Sequence, residues 1–224
     1  MAKRLFDILF ALFALVITAP FLAFGVIGIS LSSPGPVFYR ARRIGRNGEI
    51  FDMLKLRSMH VASESGSSIT APGDARIFAF GNLLRRTKID EIPQFWNILV
   101  GDMSVVGPRG EAPGVVEEHY TDWMMETLRV APGATSPGAI YNYVMSDTLL
   151  DPEDPEGSYV NRMLTPKLAL ERAYVERAGL WRDMIYIVLT VAAILATVVG
   201  RKVGLPAGDV ELARRWAPEG PFPE

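Results

Sequence analysis

Two acidic residues stand side by side at Asp90 and Glu91, and three basic residues, Arg85, Arg86 and Lys88, come just before them. An ionised carboxylate can act as a nucleophile or hold a divalent cation, and basic side chains can bind phosphate. The same residues also have a purely structural interpretation, in which Asp90 caps a helix and the basic side chains form a solvated face. Residue types alone leave both interpretations open.

The residues after the acids predict the helix that would position them. Proline is tolerated in a first helical turn and disruptive further in, so Pro93 predicts a helix that begins near Asp90, and Gly101 is a typical stop. Residues that repeat at helical spacing predict one apolar face, namely Ile92, Phe95, Trp96 and Leu99. Because backbone N–H groups and the helix dipole favour negative charge at a helix start, we expect both carboxylates to be ionised.

A longer motif surrounds the acids. Residues 89–97 read Ile-Asp-Glu-Ile-Pro-Gln-Phe-Trp-Asn, with Arg85 before them, Gly-Asp-Met-Ser at 101–104 and Val-Gly-Pro-Arg at 106–109. This order resembles the catalytic segment of the bacterial sugar transferases, which are monotopic polyprenol-phosphate phosphoglycosyl transferases, in their small single-domain form. In that family an arginine precedes Leu-Asp-Glu-Leu-Pro-Gln-Leu-Trp-Asn, and Gly-Asp-Met-Ser and Val-Gly-Pro-Arg follow. The resemblance covers most of the chain.

The resemblance implies a transfer of a phosphosugar from a UDP-sugar to polyprenol (undecaprenyl) phosphate, the first membrane step of glycoconjugate or exopolysaccharide synthesis. Asp90 would attack the sugar-proximal phosphorus, release UMP and hold the phosphosugar covalently, and it would also be the protein ligand of Mg²⁺. Glu91 would accept a proton or orient the acceptor. The implied substrate-binding residues are Lys55, Arg57, Arg85, Pro108 and Arg109. Other implied partners are membrane lipids and a second copy of the chain in a homo-oligomer.

The cations expected from the resemblance are only partly present. Lys55 and Arg57 alternate with apolar neighbours and would share one strand face, which is either solvated or binds diphosphate. The matching family lysine favours diphosphate binding at Lys55. Further along, the family's Val-Arg-Pro-Gly has Ala131 in place of its arginine, and a downstream family arginine has no counterpart near Asn142.

Composition excludes several kinds of site. The chain of 224 residues has no cysteine, which excludes disulfides, thiolate catalysis and zinc–thiolate sites, and its two histidines exclude a histidine-rich metal site. A formal net charge of −2 argues against a nucleic-acid partner. A rival function is a membrane-anchored protein that binds anionic lipid through the basic residues of 40–46 without catalysis. That rival gives no reason for the acid pair.

The segment 5–31 is almost continuously apolar and contains Pro20. As one straight helix it would span ~40 Å, enough to cross a bilayer. Basic residues flank it on both sides, at Lys3, Arg4 and 40–46, and positive charge marks cytoplasmic ends. A helix that turns at Pro20 and leaves by the same face fits this pattern better than a kinked span, and the resembling family has such a re-entrant hairpin. We therefore predict a monotopic protein on the cytoplasmic face of the bacterial inner membrane.

The predicted fold is α+β and mainly helical: a re-entrant membrane helix–break–helix, a small β-hairpin, a catalytic helix at the membrane surface and interfacial amphipathic helices. The hairpin turn is expected at Asn47-Gly48, and residues 184–199 are expected as an interfacial helix rather than a second span. Asp7 is expected to pair with Lys3 or Arg4. The predicted units are 1–33, the membrane hairpin; 34–200, the catalytic domain, with a loop at 60–74; and 201–224, a tail that is poorly ordered from Leu205.

Overall fold

The structure of the protein is a computed structural model that describes residues 1–61, 69–70, 73–198 and 201–223. Most of the predicted loop at 60–74 lies outside the described residues, as does the last residue of the predicted helix at 184–199.

Two strands form the predicted β-hairpin. β1 (Phe38–Ile44) pairs antiparallel with β2 (Ile50–Leu56) along its whole length. Between them Asn47 and Gly48 have φ values of 57° and 83°. Asparagine and glycine adopt this left-handed conformation more readily than most residues. The turn predicted from the Asn-Gly dipeptide is therefore confirmed.

A second pair of strands, which the sequence did not predict, carries the segment that follows the acids. β3 (Ser104–Val106) runs parallel to β4 (Gly133–Thr135). A Cβ atom at Gly133 would collide with the backbone of Gly107. Glycine at 107 and at 133 therefore allows the two backbone segments to approach each other closely. This approach fixes the start of the Gly107-Pro108-Arg109 turn.

Helices make up most of the remaining structure, and the predicted class, mainly helical with a small hairpin, is confirmed. They are α1 (Ala2–Ser32), α2 (Ala79–Thr87), α3 (Gln94–Val100), α4 (Pro113–His119), α5 (Asp122–Met125), α6 (Pro137–Leu149), α7 (Pro155–Ser158), α8 (Thr165–Glu176), α9 (Leu180–Val198) and α10 (Ala207–Ala213). Most residues of α8 are buried, and it packs against α6 and α10 at the centre of the core.

α1 is a single helix of 31 residues that continues through Pro20, so the predicted break in the secondary structure is not present. The fixed φ of proline is itself helical, and the missing N–H costs one backbone hydrogen bond without ending the helix. By length and composition α1 could cross a membrane. Large apolar side chains are exposed along its middle, at Leu12, Phe13, Val16, Ile17, Phe21 and Phe24.

The first turn of α1 is held by an anchor cluster, which we define as Lys3, Asp7, Ser104, Tyr174 and Asp183. The Lys3 ammonium donates to the Asp183 carboxylate at 2.7 Å and to the Val106 carbonyl at 3.0 Å. The Tyr174 hydroxyl donates to the other Asp183 oxygen at 2.6 Å. The start of α1 is thereby tied to α8, α9 and the end of β3.

Asp7 is buried in the same cluster and has partners other than those expected. Its carboxylate accepts hydrogen bonds from the Ser104 hydroxyl and the Val105 N–H, each at 3.0 Å. The predicted pairing with Lys3 or Arg4 is wrong, because Lys3 binds the anchor cluster elsewhere and Arg4 donates to two carbonyls at the end of α3.

The last turns of α1 contact the segment that leads to the acids. A Cβ atom at Gly25 would meet the side chains of Leu56 and Ile89, and one at Gly28 would meet the Phe80 ring. Small residues thus allow close packing at this end. Both ends of α1 contact the same folded body, while the middle of the helix is exposed.

The C-terminal segment is folded against the domain. The stretch 201–223 includes α10, whose Asp209 accepts a hydrogen bond from the Tyr186 hydroxyl, and Trp216 stacks on Trp123 with ring centroids 6.2 Å apart. The prediction of a poorly ordered tail is wrong. Its charge and proline content suggested disorder, but its apolar residues are buried, among them Leu205, Leu212 and Phe222.

α9 packs one side against α6, β3 and β4 and leaves the other side exposed. The exposed side chains form one apolar stripe at helical spacing: Trp181, Met184, Val188, Val191 and Leu195. In the part of the chain that the structure describes, α1 meets the length and composition of a membrane span and α9 does not.

Candidate active site

The α-helix after the two acids begins about one turn later than predicted. Asp90 and Glu91 belong to a 3₁₀ turn, Ile89–Glu91, and α3 begins only at Gln94. Ile92 and Pro93 between them have helical dihedral angles, so the backbone is helical throughout. The predicted end at Gly101 is confirmed, with φ at 105°.

Before the turn, Lys88 has a φ of 60°, which is uncommon for a residue with a side chain. This left-handed residue ends α2 and turns the chain into the 3₁₀ turn. The predicted apolar face of α3 is only partly buried, because Trp96 is 55% exposed while the polar residues Gln94 and Asn97 are buried.

Glu91 is surrounded by cations. Its Oε1 lies 2.9 Å from Arg109 Nη2, 3.2 Å from Lys55 Nζ and 3.8 Å from Lys88 Nζ. Burial by itself would raise the pKa of Glu91, but the positive charges of Lys88, Lys55 and Arg109 outweigh it and hold the pKa well below its ordinary value. Glu91 is therefore ionised, as expected.

Asp90 differs from its neighbour. It is 5% exposed, and its Oδ1 has no hydrogen-bond partner among the described residues. Burial, followed by the negative charge of Glu91, raises the pKa of Asp90, while Lys55, Lys88 and Arg85 oppose the rise. Burial thus acts against the effect that a helix start was expected to have on this carboxyl. Asp90 has an oxygen free for a ligand.

Lys55 reaches the acids from β2. The strand is joined to α3 by Asn97, whose Oδ1 accepts from the Leu54 N–H at 2.9 Å and whose Nδ2 donates to the Asp52 carbonyl at 2.8 Å. Burial lowers the pKa of Lys55 to about 8, against the opposing effect of Glu91. Lys55 is thus a partly desolvated ammonium group beside the acid pair.

Arg109 reaches Glu91 from the turn after β3. The first N–H of β4 donates to the Pro108 carbonyl at 2.9 Å, and the Arg109 N–H donates to Glu171 at 3.0 Å. Ser136 donates to the same Glu171 oxygen at 2.6 Å. Burial raises the pKa of Glu171 to about 7. Glu171 and Ser136 therefore fix the backbone that aims Arg109.

The other two predicted cations lie in different surroundings. Arg85 donates to the Ser58 hydroxyl at 3.5 Å, and its charge acts on Asp90. Arg57 lies just past the end of β2, and its guanidinium donates to the Ser33 carbonyl and hydroxyl and to the Pro36 carbonyl. These bonds hold the chain that leaves α1, so they give Arg57 a structural contact, and its predicted role in substrate binding stays a prediction.

Sequence reasoning assigned no role to two residues that contact this site, Lys88 and Glu171, or to Gln94, which is buried on α3 close after the acids. Lys88 was part of the basic run, and its spacing of three residues from Glu91 was the available signal. Gln94 lay within the motif but carried no charge to mark it. Glu171 sat in an ordinary helical pattern, and its contact with Arg109, 62 residues away, gave no local signal.

A magnesium ion fits the donor set through Asp90. Mg²⁺ commonly takes one or two carboxylate oxygens and completes its shell with phosphate and water oxygens. The unpartnered Asp90 Oδ1 is such an oxygen, whereas Glu91 is already bound by cations. The described residues contain no group of three or more His, Cys, Asp or Glu side chains placed to hold a metal. A magnesium site with Asp90 as its protein ligand therefore stays a prediction.

Comparison with known proteins identifies a family and several relatives of the chain. The family described as "Bacterial sugar transferase" matches residues 1–197. The chain is 36% identical over 198 residues to a UDP-glucose:undecaprenyl-phosphate glucose-1-phosphate transferase of Xanthomonas campestris pv. campestris, covering 87% of this chain and 39% of that protein. It is 32% identical over 199 residues to a protein of the same name from Caulobacter vibrioides, covering 87% and 70%.

A third relative has a different sugar in its name. The UDP-N-acetylgalactosamine-undecaprenyl-phosphate N-acetylgalactosaminephosphotransferase of Aeromonas hydrophila is 32% identical over 196 residues, which is 86% of this chain and 43% of that protein. The chain thus spans less than half the length of two of these relatives. The chain belongs to the bacterial sugar transferase family, as its motifs predicted.

Proposed function

We propose that this protein transfers a phosphosugar from a UDP-sugar to polyprenol phosphate, through a covalent intermediate on Asp90. The observation that carries the proposal is the contrast within the acid pair. Asp90 is buried with a free oxygen, while cations bind Glu91 and hold it ionised. A nucleophile needs a free oxygen, and a diphosphate substrate needs nearby cations. The names of the relatives above combine a UDP-sugar, undecaprenyl phosphate and the transfer of a sugar phosphate, which supports the overall transfer.

The transfer has two displacements at one phosphorus atom. In the first, an Asp90 carboxylate oxygen bonds to the sugar-proximal phosphorus, the bond from that phosphorus to the bridging oxygen breaks, and the oxygen leaves with UMP. In the second, a phosphate oxygen of the polyprenol phosphate bonds to the same phosphorus and the bond to Asp90 breaks. The products are polyprenol diphosphosugar and a regenerated carboxylate.

The surrounding residues bind and orient the anions. Arg109 and Lys55 both have further N–H donors beyond those that contact Glu91, and these can reach phosphate oxygens. Glu91 holds the two cations in place and orients them toward the acceptor phosphate. When bound at Asp90, Mg²⁺ would offset the negative charge shared by carboxylate and diphosphate. Arg85 adds positive charge beside Asp90.

The contacts of α1 support a monotopic position, which we propose to be at the cytoplasmic face of the membrane. Both ends of α1 pack on the same body, and its apolar middle is exposed among the residues that the structure describes. These contacts support a re-entrant, monotopic helix bent near Pro20 over a spanning one. The exposed stripe of α9, from Trp181 to Leu195, would lie against the same lipid surface. The acid pair would then lie near the headgroups, where a lipid phosphate is found.

The direct test is the intact mass of the detergent-purified protein after mixing with UDP-glucose or UDP-N-acetylgalactosamine and Mg²⁺, without lipid acceptor. A mass gain of one phosphosugar that is absent in Asp90→Asn is the expected result. UMP release without any mass gain, dependent on added polyprenol phosphate, would replace the covalent route by single-step transfer. Lipid binding with no turnover of any donor would favour the non-catalytic, anionic-lipid-binding alternative.

A further inference from the structure

Two buried carboxamides on α3 differ in their hydrogen bonding. Asn97 is fully engaged: its Nδ2 donates to the Asp52 carbonyl and to Asp102 Oδ2, and its Oδ1 accepts from the Leu54 N–H. Gln94 is 1% exposed, yet neither its Nε2 nor its Oε1 has a partner in the described part of the chain. Buried polar groups are nearly always paired, so an unpaired amide calls for a ligand.

Gln94 lies one helical turn beyond both acids, three residues after Glu91 and four after Asp90, in a backbone that is helical throughout. Residues three and four apart share a helix face, and helical side chains lean toward the N-terminus. The Gln94 side chain therefore leans toward the acid pair. Asp90 Oδ1, also buried and unpaired, is the oxygen left free at that place.

A neutral donor suits the position next to a nucleophilic carboxylate. A lysine or arginine at 94 would pair with Asp90 and compete with its attack, and a glutamate would repel the incoming phosphate. A carboxamide does neither, and its N–H groups can donate to a phosphoryl oxygen. Four cations already lie around the acids, so further charge is not what the site lacks.

We infer that Gln94 is a substrate-contacting residue whose carboxamide donates a hydrogen bond to a non-bridging oxygen of the phosphoryl group that is transferred to Asp90. The inference rests on the proposed function, since it names a contact within that reaction. The hydrogen bond strengthens as negative charge gathers on the phosphoryl oxygens, so Gln94 acts mainly on the chemical step.

The test compares Gln94→Met with Asn97→Leu. Methionine keeps the length of glutamine and removes both polar atoms, which have no partners in the fold. Gln94→Met should therefore unfold at the same temperature as the wild type or higher. Its kcat should fall about 10²-fold, the cost of losing one such donor, and its KM should rise by a smaller factor because the bound donor loses the same hydrogen bond. Asn97→Leu removes an amide with three partners and should lower the unfolding temperature. Gln94→Glu should lose at least as much kcat as Gln94→Met.

Two results would overturn the inference: a kcat for Gln94→Met within threefold of the wild type, or a fall in its unfolding temperature as large as that of Asn97→Leu. If the wild type releases no UMP, the proposed function is wrong, and the kinetic comparison no longer tests the contact. In that case the contact is tested by the rise in unfolding temperature that UDP-glucose and Mg²⁺ cause. A smaller rise in Gln94→Met than in the wild type supports the contact, whereas an equal rise, or none in the wild type, overturns it.

Discussion

The anchor cluster and the acid pair are both groups of buried polar side chains, and they differ in how completely they are satisfied. In the anchor cluster, Asp7 and Asp183 each accept hydrogen bonds from two partners. On and next to the acid pair, Asp90 Oδ1 and the Gln94 amide have no hydrogen-bond partner among the described residues. Satisfied groups hold a fold together, and unsatisfied ones mark where a ligand belongs. Removing a polar group should therefore lower stability in one region and activity in the other.

Asp90→Asn should have the largest effect of these substitutions, and that effect should be on activity alone. Loss of the proposed nucleophile should lower kcat by at least about 10⁴-fold. Stability should be unchanged or greater, because a buried carboxyl without a partner on Oδ1 is replaced by a neutral amide of the same shape. Sugar transfer and thermal unfolding, measured on one preparation, check both. A variant that unfolds earlier than the wild type would place Asp90 with the structural groups.

Asp7→Ala should reverse that pattern. The Val105 N–H would lose its acceptor and the Ser104 hydroxyl would keep only the Val106 carbonyl, at a cost of about 3 kcal/mol. Denaturant unfolding in detergent measures this loss. Protein that remains folded at low temperature should keep a near-normal KM for the donor. Unchanged stability would break the contrast between the two regions.

Glu171→Gln should change how stability depends on pH. Burial raises the pKa of Glu171 to about 7, above its unfolded value of 4.5, so the folded state keeps a proton that the unfolded chain has released. The contribution of this group to the free energy of unfolding is therefore greatest below pH 4.5. It falls by about 3 kcal/mol as the pH rises through 7. Glutamine keeps the acceptor for Arg109 and Ser136 but does not titrate.

The measurement for Glu171 is the free energy of unfolding at pH 5 and at pH 8, in the wild type and in Glu171→Gln. The fall between the two pH values should be smaller in the variant. The same fall in both proteins would show that Glu171 is ionised throughout this range in the folded state.

Lys88→Gln should have the smallest effect. Lys88 is the most distant of the three cations on Glu91, at 3.8 Å, and its side chain is 34% exposed. Water screens such a pair, so the loss in kcat/KM should be several-fold, about 1 kcal/mol. Arg109→Gln, at 2.9 Å, is the matched control and should lose more. Equal losses would mean that both cations contact substrate directly.

Local signals in the sequence predicted the parts of this fold that depend on neighbouring residues. The Asn47-Gly48 turn, the helix end at Gly101 and the mainly helical class were all correct. The motif also named residues that the fold brings together, since Lys55 and Arg109 both reach Glu91.

Distant contacts account for what the sequence did not predict. Asp7 binds residues about a hundred positions away, and Lys3 binds Asp183 across 180 positions, so neither pairing has a local pattern. The composition of the C-terminal segment suggested disorder. The residues that pack on it, such as Trp123, lie far away in the chain, so no local pattern revealed that it is folded. The raised pKa of Asp90 likewise comes from tertiary burial, which no helix dipole rule contains.

The bond between Lys3 and Asp183 also sets an order of events during synthesis. The two residues are 180 positions apart, so translation at ~5–20 residues per second separates their appearance by roughly ten to forty seconds. For that time the nascent helix has no anchor of this kind. Its exposed apolar middle is what can hold it in a bilayer while the ribosome completes the rest. The bond between Lys3 and Asp183 can therefore form only after most of the chain has been synthesised.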